Sequence, residues 1–210
     1  LLTYGHAVEP RHIRSVALAA TAAVPEGKAV MGFVGAGNYA SRMLIPAFKS
    51  AGATLHTIAS ARGTNGVLHG SRAGFAYATS DTDALLLSDE INTVAIVTRH
   101  NSHADFTVKA LNAGKHVFVE KPLALTLEEL EQVHAAHAAS ACHLMVGFNR
   151  RFSPLVQTMK LLLATVSEPK SFVMVMNAGA IPADHWTQDP LMGGGRIIGE
   201  ACHYIDLMRH

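Results

Sequence analysis

A doubly wound, largely parallel α/β sheet is the fold class this chain predicts, and three observations predict it. From Ala29 onward, short apolar β-like runs alternate with amphipathic stretches, the pattern of repeated βαβ units. The first run, AVMGFV, turns through Gly35, Gly37 and Ala40, spaced G-x-G-x-x-A, into a helical pattern. A later run, His116 to Val119, ends in Glu120, Lys121 and Pro122, and so sets an amine at the C-terminal end of a strand, where open α/β sheets bind ligands. A strand turning tightly into a helix offers free N–H groups to a pyrophosphate. The glycine turn therefore marks a Rossmann-type dinucleotide site, weakly by itself and more firmly beside the lysine.

Each element follows from local signals. Val30 to Val34 reads as the first strand, Tyr39 to Ser50 as the first helix and Thr54 to Ala59 as the second strand. Ser80, with Asp83 three residues later, reads as a helix N-terminus before DALLL. Thr93 to Val97 is the third strand, and Ala104 to Ala113 a helix closed by Gly114. His116 to Val119 is the fourth strand, and Thr126 with Glu129 forms a capping box for a helix running to about Ala139. Leu144 to Phe148 is the fifth. After Asn149 the texture changes: a helix from Ser153-Pro154, a strand from Ser171 to Asn177, a Gly/Pro/Asp-rich loop from Ala178 to Gly195, then helix to the end. The expected organisation is an extension or linker over 1–28, a dinucleotide domain over 29–149 and the start of a substrate and oligomerisation domain over 150–210.

Composition bounds the function. The 210 residues are 49% hydrophobic and 16% charged, with a formal net charge of +1. That is enough apolar material for a sizeable core and too little charge to argue for nucleic acid or a membrane surface. Two cysteines, Cys142 and Cys202, without a framework of spacings, read as free thiols in a reducing cytoplasm. The stretch RHIRSVALAATAA imitates a secretory signal, but its apolar part is short and mostly alanine, so a linker or short helix is expected there. His6 and His12 carry no readable chemistry.

Several residues carry candidate chemistry. The second-strand tip, TLHTIASARG, lacks the acid that would bond the ribose hydroxyls of NAD; Ser60 and Arg62 suit the 2′-phosphate of NADP, unless Arg62 is simply a solvated loop residue. Lys121 is either a proton-transfer group beside the cofactor or an exposed strand-end lysine, and Glu120 either orders the site or accepts backbone donors. His203 and Asp206 lie at i and i+3 on a helix after GGGR, so either the carboxylate helps orient the imidazole or the histidine is a structural residue of an amphipathic helix. Asn149, Arg150 and Arg151 follow the fifth strand, where arginines either hold an acidic substrate or link two modules. His134 and His137, with Cys142-His143 nearby, lack a carboxylate cluster, and no metal is expected.

Together these motifs resemble the glucose–fructose oxidoreductase/inositol dehydrogenase/MocA family, over residues 29 to 210. The resemblance rests on GFVGAGNYA, VEKPLALT, VGFNRRFSP and GGGRIIGEACHYID in that order, and is closest to the oxidoreductase half of bi-domain proteins. It implies a Rossmann domain followed by an α+β domain with an open mixed sheet, here truncated, that mediates homodimer or homotetramer formation. It implies NADP (NAD possible) as cofactor and hydride transfer to or from a CH–OH group of a sugar, polyol or nucleotide sugar. Lys121 would be the catalytic lysine and His203 its acid/base partner. Gly35, Gly37, Asn38, Tyr39, Ala40, Ser60, Arg62, Glu120 and Lys121 would line the cofactor, with Thr98, Asn101 and His103 of TRHNSHADF. Asn149, Arg150, Glu200 and Asp206 would face the substrate. Where the family commonly has an aspartate four residues before the histidine, this chain has Gly199, with Glu200 one step along. A catalytically silent dinucleotide sensor on the same fold is the alternative function.

Overall fold

The computed structural model describes residues 13–20 and 27–210. The chain divides between Ile91 and Asn92 into two compact units. His6 and His12 lie outside the described residues.

The first unit is built on four strands, β1 (Ser15–Ala17), β2 (Val30–Val34), β3 (Thr54–Ala59) and β4 (Tyr77–Thr79), ordered β1-β4-β3-β2. β2, β3 and β4 are parallel neighbours, and β1 joins β4 antiparallel with Ser15 opposite Thr79. The expected linker or short helix is thus, over Ser15–Ala17, an edge strand. Alanine-rich composition hid it, because its backbone is fixed by pairing: Thr79 Oγ1 donates to the Arg14 carbonyl (3.0 Å) and lies 2.8 Å from Ser15 Oγ.

Every residue of β2 is buried, as a strand covered on both faces must be. Phe33 is wholly enclosed and meets Phe48 and Phe75 edge-on, at centroid distances of 5.8 and 5.6 Å. Gly32 is a glycine for space: a Cβ there would lie 2.7 Å from Leu85 Cδ2 and 3.2 Å from Ile91 Cδ1.

After the glycine turn the chain is helical over 38–50, a π-helical turn (Ala40–Leu44) leading into α1 (Ile45–Ser50) with Pro46 in its first turn. α2 (Thr64–Ala73), absent from the sequence reading, is a helix interrupted by glycines that lower its pattern. Those glycines let it lie close to β3, since a Cβ at Gly70 would sit 2.8 Å from Ile58 Cγ2. α3 (Thr82–Leu86) is capped by Asp81, whose carboxylate accepts from the Ala84 N–H at 3.0 Å. Ser80, the expected cap, instead donates its backbone N–H to the Arg14 carbonyl.

The second unit carries β5 (Thr93–Ile96), β6 (His116–Val119) and β7 (Leu144–Val146), all parallel with β6 central. A 3-10 turn (His100–Ser102) leads into α4 (His103–Asn112), which ends at Gly114 with φ +70. α5 (Leu127–Ala139) starts at Thr126, whose hydroxyl accepts from the Glu129 N–H (3.1 Å), while the Glu129 carboxylate accepts from the Leu125 N–H. The boundary expected near residue 150 falls inside this unit, at the 3-10 turn Asn149–Phe152 before α6 (Pro154–Leu163). Ser171–Asn177, read as a strand, forms none: its backbone has no ladder partner among the described residues, and Val173 and Val175 lie open. The chain then runs through a π-helical turn (Ile197–Ala201) into α7 (Cys202–Arg209).

Gly32 and Gly37 provide a paired test of this packing. Gly32→Ala overpacks the contact with Leu85 and Ile91 and is expected to lower stability by about 1–3 kcal/mol in urea unfolding. Gly37→Ala points its methyl into open space and leaves the midpoint within about 0.5 kcal/mol of wild type. Equal destabilisation by both would contradict the packing described.

Candidate functional site

In the first unit the glycine turn has the form a phosphate needs. Gly35 has φ +112, a conformation L side chains rarely adopt, and its N–H donates to the Ala59 carbonyl at 2.9 Å, tying the turn to the tip of β3. Gly37 is not strained, and nothing lies within 4 Å of where its Cβ would be. A side chain there would occupy the open space beside the helix start. Ala40 is wholly buried against the sheet, the role of the third small residue of the motif, while Asn38 and Tyr39 are exposed.

Ser60 sits at the end of β3, and its hydroxyl accepts from the Gly66 N–H at 3.0 Å near the start of α2. That use leaves its own O–H free to donate. Arg62 is exposed on the following turn. From Gly27 to Ser80 the sequence contains no Asp or Glu, against five Lys and Arg: Lys28, Arg42, Lys49, Arg62 and Arg72. Such a one-signed stretch raises the local potential toward anions.

In the second unit the structure gathers Lys121, Gly199, Glu200, His203, Arg150 and Asp206. Lys121 follows β6, and its Nζ donates to the Gly199 carbonyl at 2.8 Å. That carbonyl belongs to the π-helical turn ahead of α7, one helical turn before His203. His203 is buried, at 9% exposure, and its Nδ1 has no hydrogen-bond partner among the described residues. Burial pushes its pKa down to about 4, reinforced by the Lys121 and Arg150 cations and opposed by Asp206 and Glu200. The imidazole is therefore neutral at pH 7, with a buried Nδ1 that has no partner among the described residues.

Asp206 does not orient that imidazole. Its two carboxylate oxygens are taken by Arg151, Nε to Oδ2 at 2.6 Å and the terminal amine to Oδ1. The i,i+3 spacing brings Asp206 and His203 to one side of α7, but a guanidinium fork binds a carboxylate better than an imidazole edge. Glu200 is likewise paired, through Oε2 with Arg196 Nε at 2.9 Å. Arg150 lies over the Tyr204 ring, 4.8 Å from its centroid. Asn149 opens the 3-10 turn that carries both arginines.

The TRHNSHADF segment divides differently from expectation. Thr98 Oγ1 is 2.6 Å from Ser102 Oγ, and Asn101 is exposed, with its N–H donating to the Met192 carbonyl. His103, expected to line the cofactor, is only 1% exposed. Its Nδ1 lies 2.7 Å from the Pro122 carbonyl and its Nε2 3.1 Å from the Thr98 carbonyl; the neutral ring has one N–H and donates to one of these two acceptors, between the end of β5 and the turn that carries Lys121. Glu120 is half-buried; burial raises its pKa, the Lys121 cation opposes that, and its Oε1 has no partner among the described residues. A Cβ at Gly147 would lie 2.7 Å from that oxygen, so Gly147 makes the room Glu120 occupies.

Sequence reasoning missed His100, whose ring reaches Gly193 and Gly199, because nothing in its neighbourhood flags a histidine 93 residues from its partner. The expected absence of a metal rested on spacing; among the described residues no cluster of three His, Cys, Asp or Glu side chains is placed to hold one.

The chain is similar in sequence and fold to known proteins. An oxidoreductase of Formosa agariphila is 31% identical over 195 residues, covering 88% of this chain and 61% of its own length. Levoglucosan dehydrogenase of Pseudarthrobacter phenanthrenivorans is 30% identical over 150 residues, 66% of this chain and 37% of that protein. An NAD-binding protein of Listeria innocua superposes with a TM-score of 0.74 at 26% identity, over 86% of this chain and 54% of that structure. The chain thus spans about 61% or less of the relatives it matches. With residues 30–148 matching the oxidoreductase family of NAD-binding Rossmann fold, the chain belongs to the glucose–fructose oxidoreductase/inositol dehydrogenase/MocA family.

Proposed function

We propose that this chain is the cofactor-binding and catalytic part of a dehydrogenase acting on a CH–OH group of a sugar, polyol or nucleotide sugar, with NADP bound at least as tightly as NAD. The observation that carries the reading is the pairing of a lysine ammonium with a buried, neutral histidine at the C-terminal end of β6. The cofactor fits the first unit on two counts: open space over Gly37, and an acid-free stretch from Gly27 to Ser80 that ends its second strand in Ser60 and Arg62. Relatives point the same way, since two are named levoglucosan dehydrogenase and NADP-dependent D-xylose 1-dehydrogenase.

A bound nicotinamide would supply the hydride acceptor for the substrate carbon. The chain's own residues do the rest. The hydroxyl proton passes to His203, which is neutral and so able to take it. Lys121 donates a hydrogen bond to the same oxygen as it becomes a carbonyl, stabilising the charge that develops there. Arg150 and Asn149 hold polar groups of the substrate. Asp206 and Glu200 serve through their arginines, keeping Arg151 and Arg196 in place.

The reading extends to assembly and compartment. Leu155, Leu161, Leu162, Val173 and Val175 are exposed apolar side chains of the second unit, the material of a homodimer or homotetramer interface. Cys142 and Cys202 are unpaired, which suits the reducing cytoplasm. No helix among the described residues is long and apolar enough to cross a membrane.

Titration of both cofactors tests the assignment: NADP binds at least as tightly as NAD, and Arg62→Ala weakens NADP by about tenfold while sparing NAD. NAD binding more than tenfold tighter in wild type would refute the preference. Gly37→Val should fold yet lose both cofactors.

Turnover on a sugar panel tests the chemistry. Lys121→Ala and His203→Ala should each lose about 10²–10⁴-fold in kcat, with cofactor affinity within a few-fold of wild type. Cofactor binding with no turnover on any polyol or sugar would instead select the silent sensor.

The oxidation rate should also hold level from about pH 8 to about pH 5 and fall as His203 protonates near pH 4. Because that folded-state value lies below the ordinary one, protonation also erodes stability as pH falls from about 6.5 through 4. A rate midpoint near 6.5 would place the base elsewhere.

A further inference from the structure

His100 lies in the turn after β5 at 8% exposure, and three of its contacts fall on one segment. Its Nδ1–H donates to the Gly193 carbonyl at 2.8 Å. Its ring meets Trp186 edge-on, with centroids 4.8 Å apart. Its Cε1 would be 3.0 Å from a Cβ at Gly199, so the ring fills the space a side chain there would need. Neighbours clamp the same segment: the Asn101 N–H donates to the Met192 carbonyl, and Arg99 lies over Trp186 at 5.7 Å. The segment itself has one compact seat, since a Cβ at Gly193 would come within 2.4 Å of Thr187 Cα. What this segment delivers is the Gly199 carbonyl, the acceptor that holds Lys121.

We infer that His100 is a positioning residue: it seats the Gly193–Gly199 backbone so that a peptide carbonyl, rather than an acidic side chain, holds the Lys121 ammonium beside His203. A carbonyl accepts a hydrogen bond but takes no proton, so it aims the amine without offering the proton another resting place. His203 is then the one group of the cluster that cycles the proton. Gly199 is required on this account for two reasons, the room it leaves the His100 ring and the carbonyl it presents. The inference rests on the dehydrogenase reading for its catalytic consequence but not for its geometry.

The geometry has its own readout. The groups facing His203 are Lys121, Arg150, Asp206 and Glu200, with the Phe148 ring edge-on at 6.1 Å. If His100→Ala releases the Gly193–Gly199 segment, Lys121 leaves its seat and its cation no longer holds the His203 titration down. Burial is the larger cause of the lowered value and the Lys121 cation the next, so NMR titration of the His203 ring in the cofactor-free chain should show its midpoint rise above the wild-type value of about 4. kcat should fall about tenfold or more, with KM changed less. His100→Asn, whose amide donates to the Gly193 carbonyl, should restore the wild-type midpoint. An unchanged His203 midpoint in folded His100→Ala overturns the inference, as does a His100→Asn midpoint raised as far as the alanine variant's. Should His100→Ala fail to fold, Gly199→Ala, whose methyl displaces the ring, must raise the midpoint in the same way, and no rise there overturns it. The titration needs no turnover, so a wild type without dehydrogenase activity would refute the proposed function while leaving this test decisive.

Discussion

The hydrogen bond from Lys121 Nζ to the Gly199 carbonyl, 2.8 Å long, is the interaction on which the candidate site depends. It joins the end of a buried parallel strand to the helical turn that leads into His203. Neither end is left to chance. On the lysine side, the His103 ring lies between the Pro122 and Thr98 carbonyls and donates its one N–H to one of them. On the carbonyl side, His100 holds Gly193 and packs against Gly199. Two buried histidines thus serve as braces, and burial lowers the pKa of each, which keeps them neutral hydrogen-bonding groups at pH 7. The third, His203, is also buried, though less deeply than His103, and its Nδ1 has no partner among the described residues.

The first unit contributes a different kind of order. Its glycine turn is shaped by one strained residue, Gly35, and one empty space, over Gly37. Its charge is the other half of the design: 54 consecutive residues, Gly27 to Ser80, without an acid. A dinucleotide brings several negative charges, and a 2′-phosphate brings more. A stretch without carboxylates of its own adds no repulsion against such a ligand.

Much of this was legible in the sequence, for physical reasons that vary by element. Strands β2, β3, β5 and β6 are short apolar runs bounded by turn residues, and local pattern decides them. Caps are local too, yet Ser80 and Asp81 show the limit: two good capping residues stand side by side, and the extended backbone of Asp81 at φ −101 and ψ 96 decides which one caps. Strand β1 and helix α2 were invisible because pairing with β4 and close approach to β3 make them, not their own composition. The run from Ser171 to Asn177 alternates like a strand but lacks a ladder partner among the described residues. In the site, Lys121 and His203 stood out through their motifs. The Arg151 pairing of Asp206, the braces at His100 and His103 and the seat on Gly199 are contacts between residues tens of positions apart, and no spacing rule reports them.

Direct hydride transfer is the central claim, and an isotope follows it most directly. The chain, in its native full-length context, would be incubated with NADP and polyols or sugars deuterated at the oxidised carbon, and the recovered cofactor read by NMR. The account predicts deuterium at C4 of the reduced nicotinamide with at least one substrate, lost in Lys121→Ala. Saturating NADP binding with no label in the cofactor from any substrate would contradict it.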